Sequence, residues 1–194
     1  MSSANNVRSY GKSHYGMLNA SAPLAERMRP TRIEDLAGQE HLTGPNSLLR
    51  DVLQKGMIPS MILWGPPGTG KTTLANIIAH TVQVPFYTLS AISSGVKEVR
   101  EVIESARTQS HAILFIDEIH RFNKGQQDAL LSAVEKGVVT LIGATTENPS
   151  FEVISALLSR CQLYVLESLK KEDLVSILHL TIEKDELIST KKTD

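Results

Sequence analysis

The stretch Gly65-Pro66-Pro67-Gly68-Thr69-Gly70-Lys71-Thr72 decides the fold of this chain. It fits the phosphate-binding pattern G-x-x-x-x-G-K-[ST], in which backbone N–H groups of a glycine-rich loop surround phosphate oxygens. An apolar run, residues 61–64, precedes it, and a helix-like run, residues 72–82, follows it. A glycine-rich turn that matched by accident would lack this strand–loop–helix context. The loop therefore predicts a nucleoside triphosphate site.

The residue types in this loop suit a magnesium-bound nucleotide. Glycines allow the tight turn, and the helix that follows adds its positive N-terminal end. We expect Lys71 to reach the β- and γ-phosphates and the Thr72 hydroxyl to bind Mg²⁺. The residues predicted to hold ATP are Gly65, Pro66, Pro67, Gly68, Thr69, Gly70, Lys71, Thr72 and Thr73.

A second stretch, Ile113 to Glu118, is an apolar strand that ends in two adjacent carboxylates. Alone, such a strand could simply meet solvent at the edge of a sheet. Its place after the phosphate loop, with a further strand at 86–91 between them, favours a hydrolytic pair. Glu118 would polarise water for attack on the γ-phosphate, and Asp117 would act through Mg²⁺ or its water shell. We interpret His120, just beyond, as a strand-end loop residue rather than a metal ligand.

The rest of the chain alternates between strand-like and helix-like segments. A helix capped by Asn46 or Ser47 should end near Gly56, and another should end at Gly137. The predicted fold class is α/β, a five-stranded parallel sheet with helices on both faces. Ligands bind such sheets at the carboxyl ends of the strands. The five predicted strands cover residues 61–64, 86–91, 113–118, 138–144 and 162–166.

Two later segments add candidate catalytic residues. The run 145–149 ends the fourth strand, and there the Thr146 hydroxyl and the Asn148 amide could orient the attacking water if this strand lies beside the carboxylate strand. The alternative is a capped strand end. Arg160 follows a short helix at 155–158, too far from its own loop but within reach of a neighbouring subunit's nucleotide as an arginine finger. From the residues alone, a surface salt bridge is the better explanation of Arg160.

Composition is that of an ordinary soluble globular protein. The chain has 194 residues, of which 41% are hydrophobic and 21% charged, and its net charge is −1. A single cysteine, Cys161, excludes an intramolecular disulfide, and no histidine spacing indicates a structural metal. Without a membrane-length apolar run or a signal-peptide core, we expect an intracellular protein, nuclear if eukaryotic and in the cytoplasm or nucleoid if bacterial.

Several strings together resemble one family, the AAA+ ATPases of the Werner-helicase-interacting protein group, which includes replication-associated recombination protein A and is related to clamp-loader subunits. The resemblance covers about residues 22–183. The strings 120–124 and 146–151, His-Arg-Phe-Asn-Lys and Thr-Glu-Asn-Pro-Ser-Phe, separate this group from general AAA+ proteins. The other matching strings are Leu24-Ala25-Glu26-Arg27-Met28-Arg29-Pro30, Gly38-Gln39-Glu40-His41-Leu42, Gln126-Gln127-Asp128 and Leu157-Leu158-Ser159-Arg160-Cys161.

The resemblance implies a function in DNA replication, recombination and repair, with DNA-stimulated ATPase activity at stalled forks. By matching positions, Thr146 is the sensor of the γ-phosphate, Arg160 acts in trans, and Gln39 with the segment from Arg29 lies against the adenine. The implied cofactors are ATP and Mg²⁺, the latter on Thr72 and Asp117. The implied partners are fork or primer-template DNA, further copies in a homo-oligomer, and replication and repair proteins. The implied DNA contacts are Lys97, Arg121 and Lys124.

The chain departs from the family pattern after the ATPase core, where members continue into a helical lid and an oligomerisation domain. Here only residues 169–184 suit a lid helix, so we expect a fragment or a truncated form. The predicted organisation is a disordered, basic arm at 1–21, a large α/β ATPase subdomain at 22–168, and the beginning of a lid with a polar tail at 169–194.

Three functions are compatible with these observations. The first is a DNA-maintenance ATPase or its catalytic core, impaired by the truncation. The second is a nucleotide-binding module with little or no hydrolysis because lid and oligomerisation domains are missing. The third, a small-molecule kinase, would need an acceptor pocket and an arginine-rich lid, and the sequence contains neither.

Overall fold

A computed structural model describes residues 22–109 and 111–189. It contains one five-stranded sheet in which every strand pair is parallel, with the order β2-β3-β4-β1-β5. The strands are β1 (Met61–Trp64), β2 (Phe86–Ser90), β3 (Ile113–Asp117), β4 (Thr140–Thr145) and β5 (Gln162–Val165). The predicted fold class is confirmed. The predicted N-terminal arm and the end of the polar tail lie outside the described residues.

Helices connect the strands, and further helices precede β1 and follow β5. The longer ones are α3 (Leu48–Lys55), α4 (Lys71–Val82), α5 (Val96–Arg107), α6 (Lys124–Glu135) and α9 (Lys171–Lys184). The short ones are α1 (Leu24–Arg27), α2 (Glu40–Thr43), α7 (Pro149–Glu152), α8 (Ser155–Leu158) and α10 (Glu186–Ser189), with 3₁₀ turns at Ile33–Asp35 and Ile119–Arg121. Within the described residues, no helix is long and apolar enough to cross a membrane.

Alternate residues of the central strands pack against opposite faces of the sheet. In β1, Met61 and Leu63 join a core cluster with α3 and α4, whereas Ile62 faces a second cluster with α5, α6 and α8. In β3, Phe115 and Ile116 divide in the same way. A strand that is buried on both faces reads as a continuous apolar run, which is why these segments are recognisable in the sequence.

The predicted helix ends are confirmed. The end of α6 also explains why β4 begins later than predicted. Ser47 accepts a hydrogen bond from the Arg50 N–H at 3.3 Å, which caps α3. After α6, Gly137 is left-handed, and the Val138 N–H donates back to the Ala133 carbonyl at 2.9 Å. This bond belongs to the helix terminus. The strand predicted from Val138 therefore begins only at Thr140.

The end of α4 offers a test of backbone strain. Gln83 has φ 52° and ψ 37° there, a left-handed conformation that favours glycine. We expect Gln83→Gly to raise the free energy of unfolding by about 0.5–1 kcal/mol, measured by urea denaturation. Gln83→Ala, which keeps the strained Cβ, should leave stability nearly unchanged. Equal effects of the two substitutions would contradict a conformational origin.

The single cysteine provides a reporter of local burial. Cys161 lies between α8 and β5, and burial raises the pKa of its thiol to about 11. An unperturbed thiol has a pKa of about 8.5, and only the thiolate reacts with iodoacetamide. At pH 8 the folded chain should alkylate on the order of a hundredfold more slowly than the urea-unfolded chain. The folded rate should rise about tenfold per pH unit towards pH 10. Equal rates in the two states would show that the thiol is accessible and unperturbed.

Candidate active site

The strand order brings the two sequence motifs and the fourth strand end together. β4 pairs with β1 on one side and with β3 on the other, so Trp64 lies opposite Thr145 and Ile116 lies opposite Gly143. The predicted position of the fourth strand beside the carboxylate strand is confirmed. The phosphate loop, the carboxylate pair and the hydroxyl-bearing strand end consequently share one edge of the sheet.

The phosphate loop spans residues 65–70 between β1 and α4. Its first and last residues are both glycines, and each position requires glycine for a different structural reason. A Cβ on Gly65 would lie 2.3 Å from the Leu166 carbonyl oxygen, because the chain leaving β5 passes directly over the loop. Gly70 has φ 96° and precedes the first residue of α4. Only glycine adopts that angle without strain. Within the loop, the Thr69 hydroxyl donates to the Pro66 carbonyl at 3.0 Å.

Lys71 is folded over this loop and is nearly inaccessible to solvent, with 7% of its surface exposed. Its Nζ donates to the Gly65 carbonyl at 2.7 Å and to the Pro66 carbonyl at 2.8 Å. Burial lowers the pKa of Lys71, and the nearby charges of Glu118 and Asp117 oppose that shift. An ammonium group in this position is stabilised by any further negative charge, which phosphate oxygens would supply.

The carboxylate pair stands opposite Lys71. Burial, followed by the charge of Glu118, raises the pKa of Asp117, while the Glu118 backbone N–H, Lys71 and His120 lower it. Glu118 has φ 55° and ψ 46°, a left-handed conformation that costs a non-glycine residue about 1–2 kcal/mol. The Thr146 hydroxyl donates to Glu118 Oε2 at 3.3 Å. The structure thus brings Lys71, Asp117, Glu118 and Thr146 to one site.

The predicted metal ligands fit Mg²⁺ in character. The Thr72 hydroxyl and the Asp117 carboxylate are both oxygen donors, and Mg²⁺ usually adds substrate phosphates and water to one or two protein ligands. In residues 22–109 and 111–189, no cluster of three or more His, Cys, Asp or Glu side chains could hold a metal without such help. This donor set suits a magnesium ion that binds together with a nucleotide.

A cleft of about 160 Å³ adjoins the loop and extends away from the carboxylates. Its walls come from the segment before α2, from the phosphate loop and α4, and from α9 together with Leu169. The lining residues are Met28, Pro30, Leu36, Ala37, Gly68, Thr69, Gly70, Thr73, Leu169, Ile177, Leu180 and Thr181. The first wall agrees with the segment that the resemblance places against the adenine. The opposite wall includes α9, which lies within residues 169–184, the segment predicted to suit a lid helix.

Gln39, predicted to contact the nucleotide, is fully buried below the loop. Its Nε2 donates to the Thr69 carbonyl at 3.3 Å and to the Glu167 carbonyl at 2.8 Å, and its Oε1 accepts from the Glu167 N–H at 3.0 Å. Backbone groups therefore use both ends of the amide. Gln39 joins the phosphate loop to the chain that leaves β5, so its direct effect is on the position of the loop.

An ion pair links the two outer walls of the cleft. Arg27 donates from Nε and Nη2 to the two carboxylate oxygens of Asp185 at 2.9 and 3.0 Å. The hydrogen bonds from Arg27 hold the pKa of Asp185 below its usual value, and Asp185 raises the pKa of Arg27. Since the partners are 158 positions apart in the chain, this contact leaves no local sequence pattern.

Two predicted catalytic residues are engaged elsewhere. The Asn148 side chain accepts from the Ser150 N–H at 3.0 Å and caps α7. Arg160 pairs with Glu135 and donates to the Ala156 carbonyl at 2.6 Å, and its side chain is 41% exposed. The surface salt bridge is therefore present, and it leaves the Arg160 side chain at the surface.

Comparisons with known proteins place this chain among ATPases, in agreement with the nucleotide site predicted from the phosphate loop. The family described as "ATPase family associated with various cellular activities (AAA)" matches residues 61–169. The chain is 53% identical to replication-associated recombination protein A of Escherichia coli (strain K12) over 169 residues. This alignment covers 85% of this chain and 38% of that protein. It is 50% identical over 175 residues to ATPase WRNIP1 of Dictyostelium discoideum, covering 88% of this chain and 20% of that protein. The chain thus spans well under half the length of these relatives.

The fold is also that of a solved protein, the RuvB Holliday junction branch migration motor of Thermotoga maritima. The superposition has a TM-score of 0.68 and 32% sequence identity, and it covers 80% of this chain and 54% of that one.

The buried amide of Gln39 generates a prediction about the loop. Gln39→Glu replaces the donor that faces two carbonyl groups with an acceptor, so we expect it to lower the free energy of unfolding by about 3 kcal/mol in urea. Gln54→Glu makes the same chemical change on an exposed position of α3 and should be nearly neutral. An unaltered unfolding midpoint in Gln39→Glu would contradict the assigned bonds.

Proposed function

The chain belongs to the AAA family of ATPases, in the group of replication-associated recombination protein A and WRNIP1, and from that premise we propose that it binds Mg-ATP and hydrolyses it in DNA maintenance. The observation that carries the proposal is the meeting of Lys71, the carboxylate pair and Thr146 at the carboxyl ends of three neighbouring strands. Each group has the chemistry that phosphoryl transfer to water requires.

Binding begins with an exchange of partners at Lys71. In the described structure its Nζ is satisfied by two loop carbonyls, Gly65 and Pro66. A nucleotide phosphate would replace them with anionic acceptors, so the ammonium group would gain the Coulomb attraction of a direct ion pair, which neutral carbonyls do not supply. The loop N–H groups and the start of α4 add donors aimed at the same anion. The base would occupy the cleft between the segment around Pro30 and α9.

Hydrolysis requires a base for the attacking water, and Glu118 is suited to that role. Its side chain is 26% exposed, so water can reach it, and Thr146 holds one of its oxygens. Asp117, beside it, would hold Mg²⁺, which stabilises negative charge on the phosphate oxygens when bound. The two adjacent carboxylates therefore have separate tasks, proton acceptance and metal binding.

Arg160 favours a second candidate function for the isolated chain. Its ion pair with Glu135 is intramolecular, so without a neighbouring copy the Arg160 guanidinium stays bound to the surface of its own subunit. An arginine finger accelerates phosphoryl transfer by about 10³–10⁵-fold when it acts in trans. A single copy would then bind ATP with little turnover and behave as a nucleotide-binding module.

We also propose that DNA stimulates the activity of this protein in its oligomeric form. The names of its relatives refer to replication-associated recombination and to branch migration. Exposed basic residues lie at or beside the starts of α5 and α6, namely Lys97, Arg121 and Lys124. The Gln126 side chain holds these helix starts together, since it donates to the Ser94 carbonyl at 2.9 Å. Such residues would contact phosphates without reading sequence.

The experiment that tests the function measures ATP hydrolysis over a range of protein concentrations, with and without primer-template DNA. We expect a specific activity that rises with concentration, because Arg160 acts between copies, and that rises further with DNA. Glu118→Gln should lower turnover by at least about a hundredfold, since general base catalysis contributes that much, and should retain bound ATP.

Arg107→Ala is the matched control for Arg160→Ala, because Arg107 is also exposed and paired with a glutamate, Glu104, at 3.3 Å. Only Arg160→Ala should remove the dependence on concentration. ATP binding without turnover under every condition would favour the nucleotide-binding module. A folded chain that binds no ATP, or full turnover in Glu118→Gln, would contradict the proposal.

A further inference from the structure

His120 lies inside the catalytic cluster, although the sequence suggested only a loop residue. It belongs to the 3₁₀ turn after Glu118, and its side chain is 12% exposed. Its Nδ1 is 3.0 Å from Thr145 Oγ1 and 3.2 Å from Glu118 Oε2. One ring nitrogen therefore faces both the end of β4 and the proposed general base.

The partners of Thr145 determine which ring nitrogen carries the proton. The Thr145 hydroxyl donates its single hydrogen to the Glu147 carbonyl at 3.1 Å, and its oxygen accepts from the Glu147 N–H at 3.0 Å. A hydroxyl that has already donated can only accept from a third partner. With the hydroxyl hydrogen assigned to the Glu147 carbonyl, we assign the ring proton to Nδ1, which then donates to Thr145 Oγ1. The Glu118 carboxylate, the other neighbour of Nδ1, also needs a donor.

The two polar contacts of the Glu118 side chain, one hydrogen bond and one close approach, are made by the same oxygen. Oε2 accepts from Thr146 at 3.3 Å and faces His120 Nδ1 at 3.2 Å. Within the described residues, Oε1 has no hydrogen-bond partner. One side of the carboxylate is thus held by protein, and the other is available to accept a proton from water. The backbone of Glu118 is left-handed at this position.

We propose that His120 is a positioning residue for Glu118, carrying its proton on Nδ1 and sharing it between Thr145 and the carboxylate. The inference rests on the proposed role of Glu118 as general base. His120 acts only through Glu118. Through this contact the base, which directly follows β3, is held beside the end of β4. There the Thr145 hydroxyl anchors the histidine and the Thr146 hydroxyl binds the carboxylate.

The first test is spectroscopic and needs no turnover. Long-range ¹⁵N–¹H NMR of the imidazoles at pH 8 distinguishes a proton on Nδ1 from one on Nε2, and loss of a signal in His120→Asn assigns the residue. We expect the Nδ1–H form in the wild-type chain. Thr145→Val, which removes the anchor, should shift the tautomer population, whereas Thr145→Ser should preserve it. A neutral ring protonated on Nε2 would overturn the proposal.

The second test compares two substitutions that differ in where they place an amide. The side-chain amide of His120→Asn can occupy the position of Nδ1, whereas that of His120→Gln reaches the position of Nε2. His120→Gln should lower kcat about tenfold or more, because the base loses its alignment, and should change the ATP Kd less than about twofold. His120→Asn should recover at least about fivefold of that loss. His179→Gln, on an exposed position of α9, is the control.

The outcomes separate this inference from the proposed function. If Glu118→Gln abolishes turnover but His120→Gln retains it, Glu118 is the base and His120 has no positioning role. If Glu118→Gln retains turnover, the proposed function itself fails. Equal kcat in His120→Asn and His120→Gln, with equal losses of thermal stability, would indicate a purely structural histidine and overturn the inference.

Discussion

The pairing of β4 between β1 and β3 is the constraint on which the site depends. Because all three strands run parallel, their carboxyl ends meet at one edge, and the residues that follow them become neighbours although they are far apart in the chain. The phosphate loop follows β1, the carboxylate pair ends β3, and the hydroxyl pair ends β4. A shift of one residue in either register would reverse which face each strand end presents and would separate the Thr146 hydroxyl from Glu118.

The electrostatics of the edge follow from burial. Lys71 and Asp117 each lose hydration, and burial shifts the pKa of each towards its neutral form. Each partly restores the charge of the other, and the loop carbonyls satisfy the ammonium group. A site of this kind favours a ligand that carries several negative charges together with a divalent cation, because such a ligand supplies counter-charges of both signs. Magnesium-bound triphosphate has this composition.

The sequence predicted the parts of the fold and site that have a local pattern. The apolar runs of β1 and β3, the glycine pattern of residues 65–70 and the glycine that ends α6 are each contained within a few positions. The strand order had to be assumed from related ATPases, and the structure confirms it. Contacts between distant segments were not predictable. The amide of Gln39 was expected to face a nucleotide but binds the backbone of Glu167, and the ion pair between Arg27 and Asp185 has no signature at all. His120 could have been suspected from its spacing of two positions from Glu118, but its role depends on Thr145, on another strand.

The central claim is that the loop and its lysine form a nucleotide site, and equilibrium binding of Mg-ATP measured by calorimetry tests it most directly. The wild-type chain should bind ATP, and Lys71→Met should weaken binding about a hundredfold, the loss expected for charge-assisted bonds to phosphate. Lys55→Met, on the exposed end of α3, should bind as the wild type does. Equal affinity of the wild-type and Lys71→Met chains, with both folded, would contradict the account.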